Sequence, residues 1–295
     1  MDINYELYKV FYHVASTLSF SEASKQLFIS QSAVSQSIKT LERKLDQTLF
    51  IRSTKHVQLT PEGEILLRHI EPAMHFIRRG EAQLLDAAST GGQIRIGASD
   101  TICRYFLVPY LKQFHQDFPT AHIKVINQTS IKCVELLETG QVDLIVTNYP
   151  NAYLSNVSSI HKIKEFKDVF VAGNAFTQLK DQVLTYEQLS KYPILMLDKK
   201  STTSEFLHRL FQQHHMDLVP EIELTSNDLL IDLARIGLGI AFVPDYCISE
   251  QIDDLFIVKT EEDLPMRELV IAYNEQIPLT KASEEFLNYF ISPKH

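Results

Sequence analysis

Residues 20–45 read FSEASKQLFISQSAVSQSIKTLERKL. Two amphipathic segments stand here with only Phe28, Ile29 and Ser30 between them. In the first, Ala23 and Leu27 share an apolar face. Ser19 and Glu22 are spaced as a capping box, with Ser21 as the alternative cap. Ser30 is placed to cap the second segment, which starts near Gln31. There Val34, Ile38, Leu41 and Leu45 step by four, three and four, so they share an inward face. On the other side Gln31, Ser32, Ser35, Gln36 and Lys39 form a polar stripe that begins at the helix N-terminus, where free N–H groups favour phosphate. Short polar side chains let a helix approach base edges, and a Gln amide can bond adenine through two hydrogen bonds. A solvated helix face is the other reading of such a stripe. The short helix and tight turn in front of it favour a helix-turn-helix.

Upstream, Leu7, Val10, Phe11, Val14 and Ala15 recur at helical spacing. Downstream, residues 49–63 read LFIRSTKHVQLTPEG. Leu49 to Arg52 and Val57 to Leu59 are expected as short strands around a basic turn, a wing whose Arg52 and Lys55 meet the flanking DNA backbone or minor groove. Thr60 then caps a new helix with Pro61 in its first turn. Charge follows the same division. Residues 19–58 carry six basic and three acidic side chains, and residues 91–295 carry 18 basic and 27 acidic ones. A basic head on an acidic body fits a protein in which only the head meets phosphate, although the whole chain has a net charge of −9.

These residues carry a resemblance. Ala23 with Leu27, Gln31-Ser32-Ala33-Val34-Ser35, Ile38 with Leu41-Glu42, Leu49-Phe50 with Arg52, and Leu59-Thr60 with Gly63 follow one another in order. They are similar to the A-x-x-L, Q-x-A-[VL]-S, I-x-x-L-E, L-F-x-R and L-T-x-x-G of the LysR-type transcriptional regulators. Ser32 stands where that family often has Pro, Gln36 where Arg is frequent, and Lys55 near a usual Arg. These departures bear on base preference. The resemblance implies promoter DNA as partner, read as an inverted repeat.

From Pro61 to about Ser89 the pattern is helical. Leu67, Ile70, Met74, Ile77, Glu81, Leu84 and Ala88 alternate steps of three and four, a heptad seam with one polar member. Two chains pairing along the seam is one reading, and packing on the helix's own domain is the other. The resemblance implies a homodimer here, assembling further to a homotetramer. Pro72 and Gly80 are expected to bend the helix, and Gly91-Gly92 to end it.

Beyond residue 91, strands are expected at 94–97, 122–127 and 142–146, with helices between them at 101–118 and 130–138. The β-α-β-α-β order implies a parallel sheet. A second set follows, with strands near 168–172, 194–197, 222–224 and 240–243 and helices at 203–214 and 227–236. A strand at 268–273 and a helix at 281–291 close the chain. The chain is expected to cross between two lobes near 147–156 and again near Met266. Gly140, Asp143, Leu144 and Val146, and Gly237-Leu238-Gly239-Ile240-Ala241 with Pro244, continue the resemblance more loosely. It implies a two-lobed body like that of periplasmic binding proteins, with a small-molecule effector between the lobes. The expected fold is therefore α/β with an N-terminal all-α winged helix-turn-helix. Its parts are a DNA-binding domain at 1–60, a linker helix at 61–90 and an effector domain at 91–295. Lobe one takes about 91–150 and 267–295, and lobe two about 157–266.

Ligands in open α/β sheets sit at the carboxyl ends of strands. That selects Ser99, Thr101, Gln128 and Thr147 in lobe one and Ser201, Thr202 and Thr225 in lobe two. Hydroxyls before helix starts can equally be ordinary caps. Helix N-termini aimed at one cleft favour a small polar or anionic metabolite. Lys200 would add charge if it pointed inward. GLGIAF lacks the third Gly and the strand-then-helix order of a dinucleotide fingerprint. His208, His214 and His215 contain no i,i+4 pair, and no nucleophile elbow, HExxH or P-loop occurs. No catalytic residue, metal or cofactor is expected. Cys103, Cys133 and Cys247 lie far apart without CxxC spacing and fit a reducing cytoplasm. No apolar run approaches the roughly 20 residues of a membrane span, and no basic-then-apolar leader opens the chain. A transcription factor responding to a small molecule is the leading reading. An architectural DNA-binding protein without a ligand, and a two-lobed solute carrier or enzyme, are the alternatives.

Overall fold

The computed structural model describes residues 3–52, 56–86, 92–154, 158–248 and 254–291. It divides into two compact units, one ending at Leu85 and one starting at Asp86.

The first unit begins with α1 (Tyr5–Thr17), α2 (Phe20–Leu27) and α3 (Gln31–Leu45). Ser19 is the cap of α2, its Oγ accepting from Glu22 N. The expected box is half formed, because the Glu22 carboxylate takes Lys25 Nζ, at 3.2 Å. Phe28 closes α2 in the left-handed region, at φ 54°, which makes the tight turn. Ser30 Oγ accepts from Ala33 N and starts α3. Val34, Ile38 and Leu41 of α3 are fully buried with Phe11, Val14 and Ala23. The wing is β1 (Phe50–Arg52) paired antiparallel with β2 (Val57–Leu59). Glu42 joins it to α3: its Oε1 accepts from Leu49 N at 2.9 Å and Phe50 N at 3.3 Å.

Next comes α4 (Pro61–Asp86), unbroken in register through Pro72. Its seam divides into two parts. Leu67 and Ile70 pack on the head, and Met74 is buried and accepts the Tyr5 hydroxyl. Ile77 and Leu84 are 42% and 79% exposed. The seam's first half is thus closed on its own domain, whereas Ile77 and Leu84 in the second half are exposed even though Arg78 beside them reaches Tyr12 and His13 of the head. Ala88 and Lys55 lie outside the described residues.

The second unit opens with β3 (Gln93–Ala98) and a helix in three pieces. α5 (Asp100–Ile102) passes through a π turn (Cys103–Leu107) into α6 (Val108–Asp117). Pro109, with no N–H to give the Tyr105 carbonyl, lies two residues past that turn, at the start of α6. β4 (His122–Asn127), α7 (Ser130–Glu138) and β5 (Leu144–Tyr149) follow, and β4, β3 and β5 are parallel neighbours. β6 (Ser158–Gly173) has 16 residues, about three times the expected length. β7 (Val183–Leu184), α8 (Tyr186–Leu189), β8 (Ile194–Leu197), α9 (Thr202–Gln213), β9 (Ile222–Leu224) and α10 (Asn227–Arg235) come next. β10 (Ile240–Pro244), β11 (Leu255–Thr260), β12 (Met266–Asn274) and α11 (Lys281–Ile291) complete the chain.

The sheet order is β4-β3-β5-β12-β6-β10-β8-β9, with β11 on β6 and β7 on β11. Residues 158–167 of β6 pair with β12, whereas 168–173 pair with β10 and β11. The outward crossing between lobes therefore falls at Lys167–Asp168 inside a strand, rather than near 147–156. The return crossing at Met266 is where it was expected, since Met266 opposes Lys167. The first half of β6 is the edge of lobe one's sheet, and Lys162, Lys164 and Lys167 there are the charges that suit an edge. Lys162 is tied to Glu268 of β12.

Candidate functional site

Two places gather the chemistry. The first is the exposed face of α3. Gln31, Ser32, Gln36 and Lys39 are exposed and Ser35 is half-buried, while the opposite face is closed in the head's core. Ser32 Oγ shares a hydrogen bond with Ser30 Oγ at 2.9 Å. The turn holding Phe28 to Ser30 fixes α3 against α1 and α2, so the stripe points away from the core as a unit. Arg52 pairs with Val57 at the end of β1, and its side chain, like the whole of Lys55, lies outside the described residues.

The second place is a cavity of about 440 Å³ between the lobes of the second unit. Six of the seven expected effector residues line it: Ser99, Thr101 and Gln128 from lobe one, and Ser201, Thr202 and Thr225 from lobe two. Thr147 does not. β5 runs on to Tyr149, so Thr147 lies inside the strand, fully buried, and its Oγ1 accepts from Asn151 Nδ2 at 3.1 Å. Its neighbour Asn148, on the opposite face of the strand, lines the cavity instead. Lys200 is exposed and does not line it.

Local sequence explains why polar groups converge here. β3, β4, β8 and β9 each end at the cavity and feed a helix whose cap is a hydroxyl. Ser99 accepts from Ile102 N, Thr129 from Lys132 N, Ser201 from Ser204 N and Ser226 from Leu229 N. The capping role and the lining role thus coincide. The lobes are bridged across the cavity: Asn227 Nδ2 donates to Thr101 Oγ1 at 2.8 Å, and Asn148 Nδ2 to Thr202 Oγ1 at 3.3 Å. Nearby, the Tyr105 hydroxyl donates to Asp228, which also faces Arg104 Nη1 at 3.5 Å. Burial first, and this bond second, raise the Tyr105 phenol above its ordinary range, so it stays a donor. Asn148 and Asn227 are buried, and their Oδ1 atoms have no partner among the described residues. Buried polar groups are nearly always satisfied, so such atoms mark a place with capacity for a further donor.

Sequence reasoning passed over Asp100, Asn148, Asp198 and Tyr246, which also line the cavity. For Asp100 the signal was present: it stands between the selected Ser99 and Thr101. Asn148 depended on where β5 ends. Asp198 and Tyr246 follow β8 and β10, at the carboxyl ends that drew attention elsewhere. The cysteines stand apart from this chemistry. Burial pushes the Cys103 thiol up to about 11 and Cys133 up to about 12, and raises Cys247 further.

Comparison with known proteins covers both units of the chain. The sequence profile described as the bacterial regulatory helix-turn-helix protein, lysR family, matches residues 5–64, and the LysR substrate binding domain matches 87–292. A probable RuBisCO transcriptional regulator of Phaeodactylum tricornutum is 28% identical over 284 residues, covering 93% of this chain and 92% of that protein. Full-length CbnR, solved in complex with its target DNA, superposes with a TM-score of 0.68 at 16% identity, over 98% of this chain and 99% of that one. The regulatory domain of Synechocystis PCC6803 CcmR, solved in complex with 2-PG, gives 0.62 at 19% identity, over 68% of this chain and 96% of that one. With both of its parts matched, in this order and over most of its length, the chain belongs to the LysR family of DNA-binding transcriptional regulators.

Proposed function

We propose that this regulator couples a small polar or anionic metabolite in the interlobe cavity to the reading of promoter DNA by α3. One observation carries the effector half: the cavity is lined from both lobes and bridged by hydrogen bonds that a ligand would compete with or reinforce. A ligand shifts an equilibrium only through its different affinity for the two states. Groups that span the lobes supply that difference. The body binds and does not catalyse, and the protein works in the cytoplasm. Residues 1–60 form the DNA-binding domain, 61–90 the linker and 91–295 the effector domain. The exposed Ile77 and Leu84 pair two linker helices, and dimers assemble to a tetramer on an inverted repeat. CbnR in its DNA complex supports this reading of the head, and CcmR with 2-PG supports it for the body.

The test uses purified full-length protein with a library of small polar metabolites, followed by thermal unfolding and operator footprinting. A ligand at one hundred times its Kd stabilises the bound state by about 2.7 kcal/mol. At least one compound should therefore raise the midpoint measurably and alter the footprint. Ser99→Ala with Thr202→Ala should abolish both responses and keep basal DNA affinity. An unaltered dose response in that variant would place the effector elsewhere.

The DNA contacts are proposed as Gln31, Ser32, Ser35, Gln36 and Lys39 in the major groove, with Arg52 and Lys55 on the flanking backbone or minor groove. Gln36→Ala should cost about 1–3 kcal/mol and relax preference at one base pair. Arg52→Ala should weaken all sequences alike and lower the salt slope by about 1. Binding curves for a set of single-base operator variants at several salt concentrations read both effects. Unchanged curves in both variants would refute the assignment.

A further inference from the structure

The cleft presents two kinds of charge at once. Its positive side is backbone. α7, α9 and α10 all start at the cavity, and the first N–H groups of a helix have no partner within it. Each such terminus acts as roughly half a positive charge. Its negative side is made of side chains. Asp100 enters from lobe one after β3, and Asp198 from lobe two after β8. Asp100 Oδ1 accepts from Asn127 Nδ2 at 2.9 Å, and Asp198 Oδ1 from Lys200 N at 3.1 Å. Among the described residues neither carboxylate has a cationic partner, and no Lys, Arg or His lines the cavity.

That combination discriminates between ligand classes. A ligand with anionic groups alone would satisfy the helix termini and press against two carboxylates. A phosphorylated acid is the worst case, because the guanidinium or ammonium groups that make strong charge-assisted bonds to phosphate are not among the lining residues. A cation alone would leave the N–H groups unmatched. A zwitterion matches both sides. Closing the lobes removes water from Asp100 and Asp198, which is unfavourable for a carboxylate without a counter-charge. An ammonium group between the lobes reverses that penalty, so closure would follow occupancy.

We propose that the cleft selects a small amino-acid-like zwitterion, its carboxylate held by helix N–H groups and its ammonium by Asp100 and Asp198. Leu197, Pro244 and Tyr246 form the wall that takes the hydrocarbon part of its side chain. This rests on the cleft being the effector site, and it adds the chemical class.

The experiment measures binding to the full-length protein by calorimetry for three sets of probes. These are the proteinogenic amino acids, their 2-hydroxy acid counterparts, which lack the ammonium, and 2-phosphoglycolate. At least one amino acid should bind, with its 2-hydroxy counterpart at least tenfold weaker. Asp100→Asn and Asp198→Asn should each weaken that amino acid at least tenfold, with the thermal midpoint of the unliganded protein unchanged. If only the hydroxy acids or 2-phosphoglycolate bind, and the Asn variants bind them more tightly, the zwitterion is refuted and the cleft remains the effector site. Amino-acid affinity unchanged in both variants refutes it equally. If no probe binds and promoter output ignores all three sets, the zwitterion is refuted; the effector reading itself falls only if the wider metabolite library also leaves the unfolding midpoint and the footprint unchanged.

Discussion

Arg267→Met is expected to destabilise the second unit by about 3–5 kcal/mol, the usual effect of removing one partner from a buried ion pair. Arg267 is 2% exposed and Asp168 is fully buried. The guanidinium binds Asp168 through Nη1, which also donates to Thr203 Oγ1 at 3.3 Å. It lies over the rings of Phe166 and Phe206, at 5.3 and 4.8 Å from their centres. Asp168 Oδ1 and Arg267 Nε have no partner among the described residues. Burial raises the Asp168 carboxyl above its ordinary value against the lowering pull of Arg267. A raised acid contributes its stability below its unfolded value and loses it as pH rises through the folded one. Without Arg267 that carboxyl rises further. The deficit of the variant should then be largest near neutral pH and shrink on acidification, as Asp168 takes up a proton. Urea unfolding at pH 7.5 and 4.5 measures this. Asp168→Leu combined with Arg267→Met should recover most of the loss, because a packed apolar pair is often neutral where a broken ion pair is not. A single-variant loss under about 1 kcal/mol at pH 7.5 would show that the pair does not hold the structure. The location gives the result its functional meaning. Asp168 stands where β6 leaves lobe one's sheet for lobe two's, and Thr203 stands at the start of α9 beside the cavity. The pair ties β6 to β12 and α9 at the crossing between the lobes.

The head was legible residue by residue because its signals are local. Caps, turn and periodicity each act within four residues, and Ser30, Val34 and Ile38 do what their spacing says. Glu42 was visible as a motif member, but its task was not. It binds N–H groups seven and eight residues later, a contact that spacing does not encode. Asp143 is similar: its carboxylate holds the Arg95 N–H at 2.7 Å and the Arg95 guanidinium at 2.8 Å, so this motif residue braces β3 and does not reach the cavity. In the body, parallel strands buried on both faces were found by their apolar runs. The first half of β6 was missed because an edge strand tolerates the lysines of SSIHKIKEFK. β7, α8 and β11 are short or weakly patterned and depend on tertiary pairing. The six expected residues that do line the cavity were found by one rule, strand ends before helix starts. Thr147 shows the sensitivity of that rule: β5 runs three residues past the expected end at Val146, and the face presented to the cavity changes.

Gly63→Ala should cost the head about 1–3 kcal/mol or more, the range for overpacking a closed core. The same exchange in an open helix would gain about 1 kcal/mol. Gly63 lies in the first turn of α4, and a Cβ there would stand 2.3 Å from Leu49 O and 2.9 Å from Leu59 Cδ2. Neither the backbone of Leu49 nor the turn can give way cheaply. Leu49 O accepts from Thr60 N at 3.0 Å, and Leu49 N donates to Glu42. Thr60 Oγ1 donates to Thr48 O at 2.7 Å and accepts from Gly63 N at 3.0 Å. The methyl group would therefore push β1 away from α4 and, through Glu42, strain its attachment to α3. Wing and reading helix would lose their fixed relation, so operator affinity should fall at least tenfold, which corresponds to about 1.4 kcal/mol. Gly80→Ala is the control, since nothing lies within 4 Å of a Cβ there. It should stabilise α4 by about 0.8–1.0 kcal/mol and leave binding intact. A chain with two compact units need not unfold in one step, so hydrogen exchange resolved by segment is the appropriate readout. Protection should drop across residues 31–66 in Gly63→Ala and stay unchanged beyond residue 92. Wild-type protection with wild-type operator affinity would mean that the wing and α4 do not meet as described, and the L-T-x-x-G glycine would need another cause.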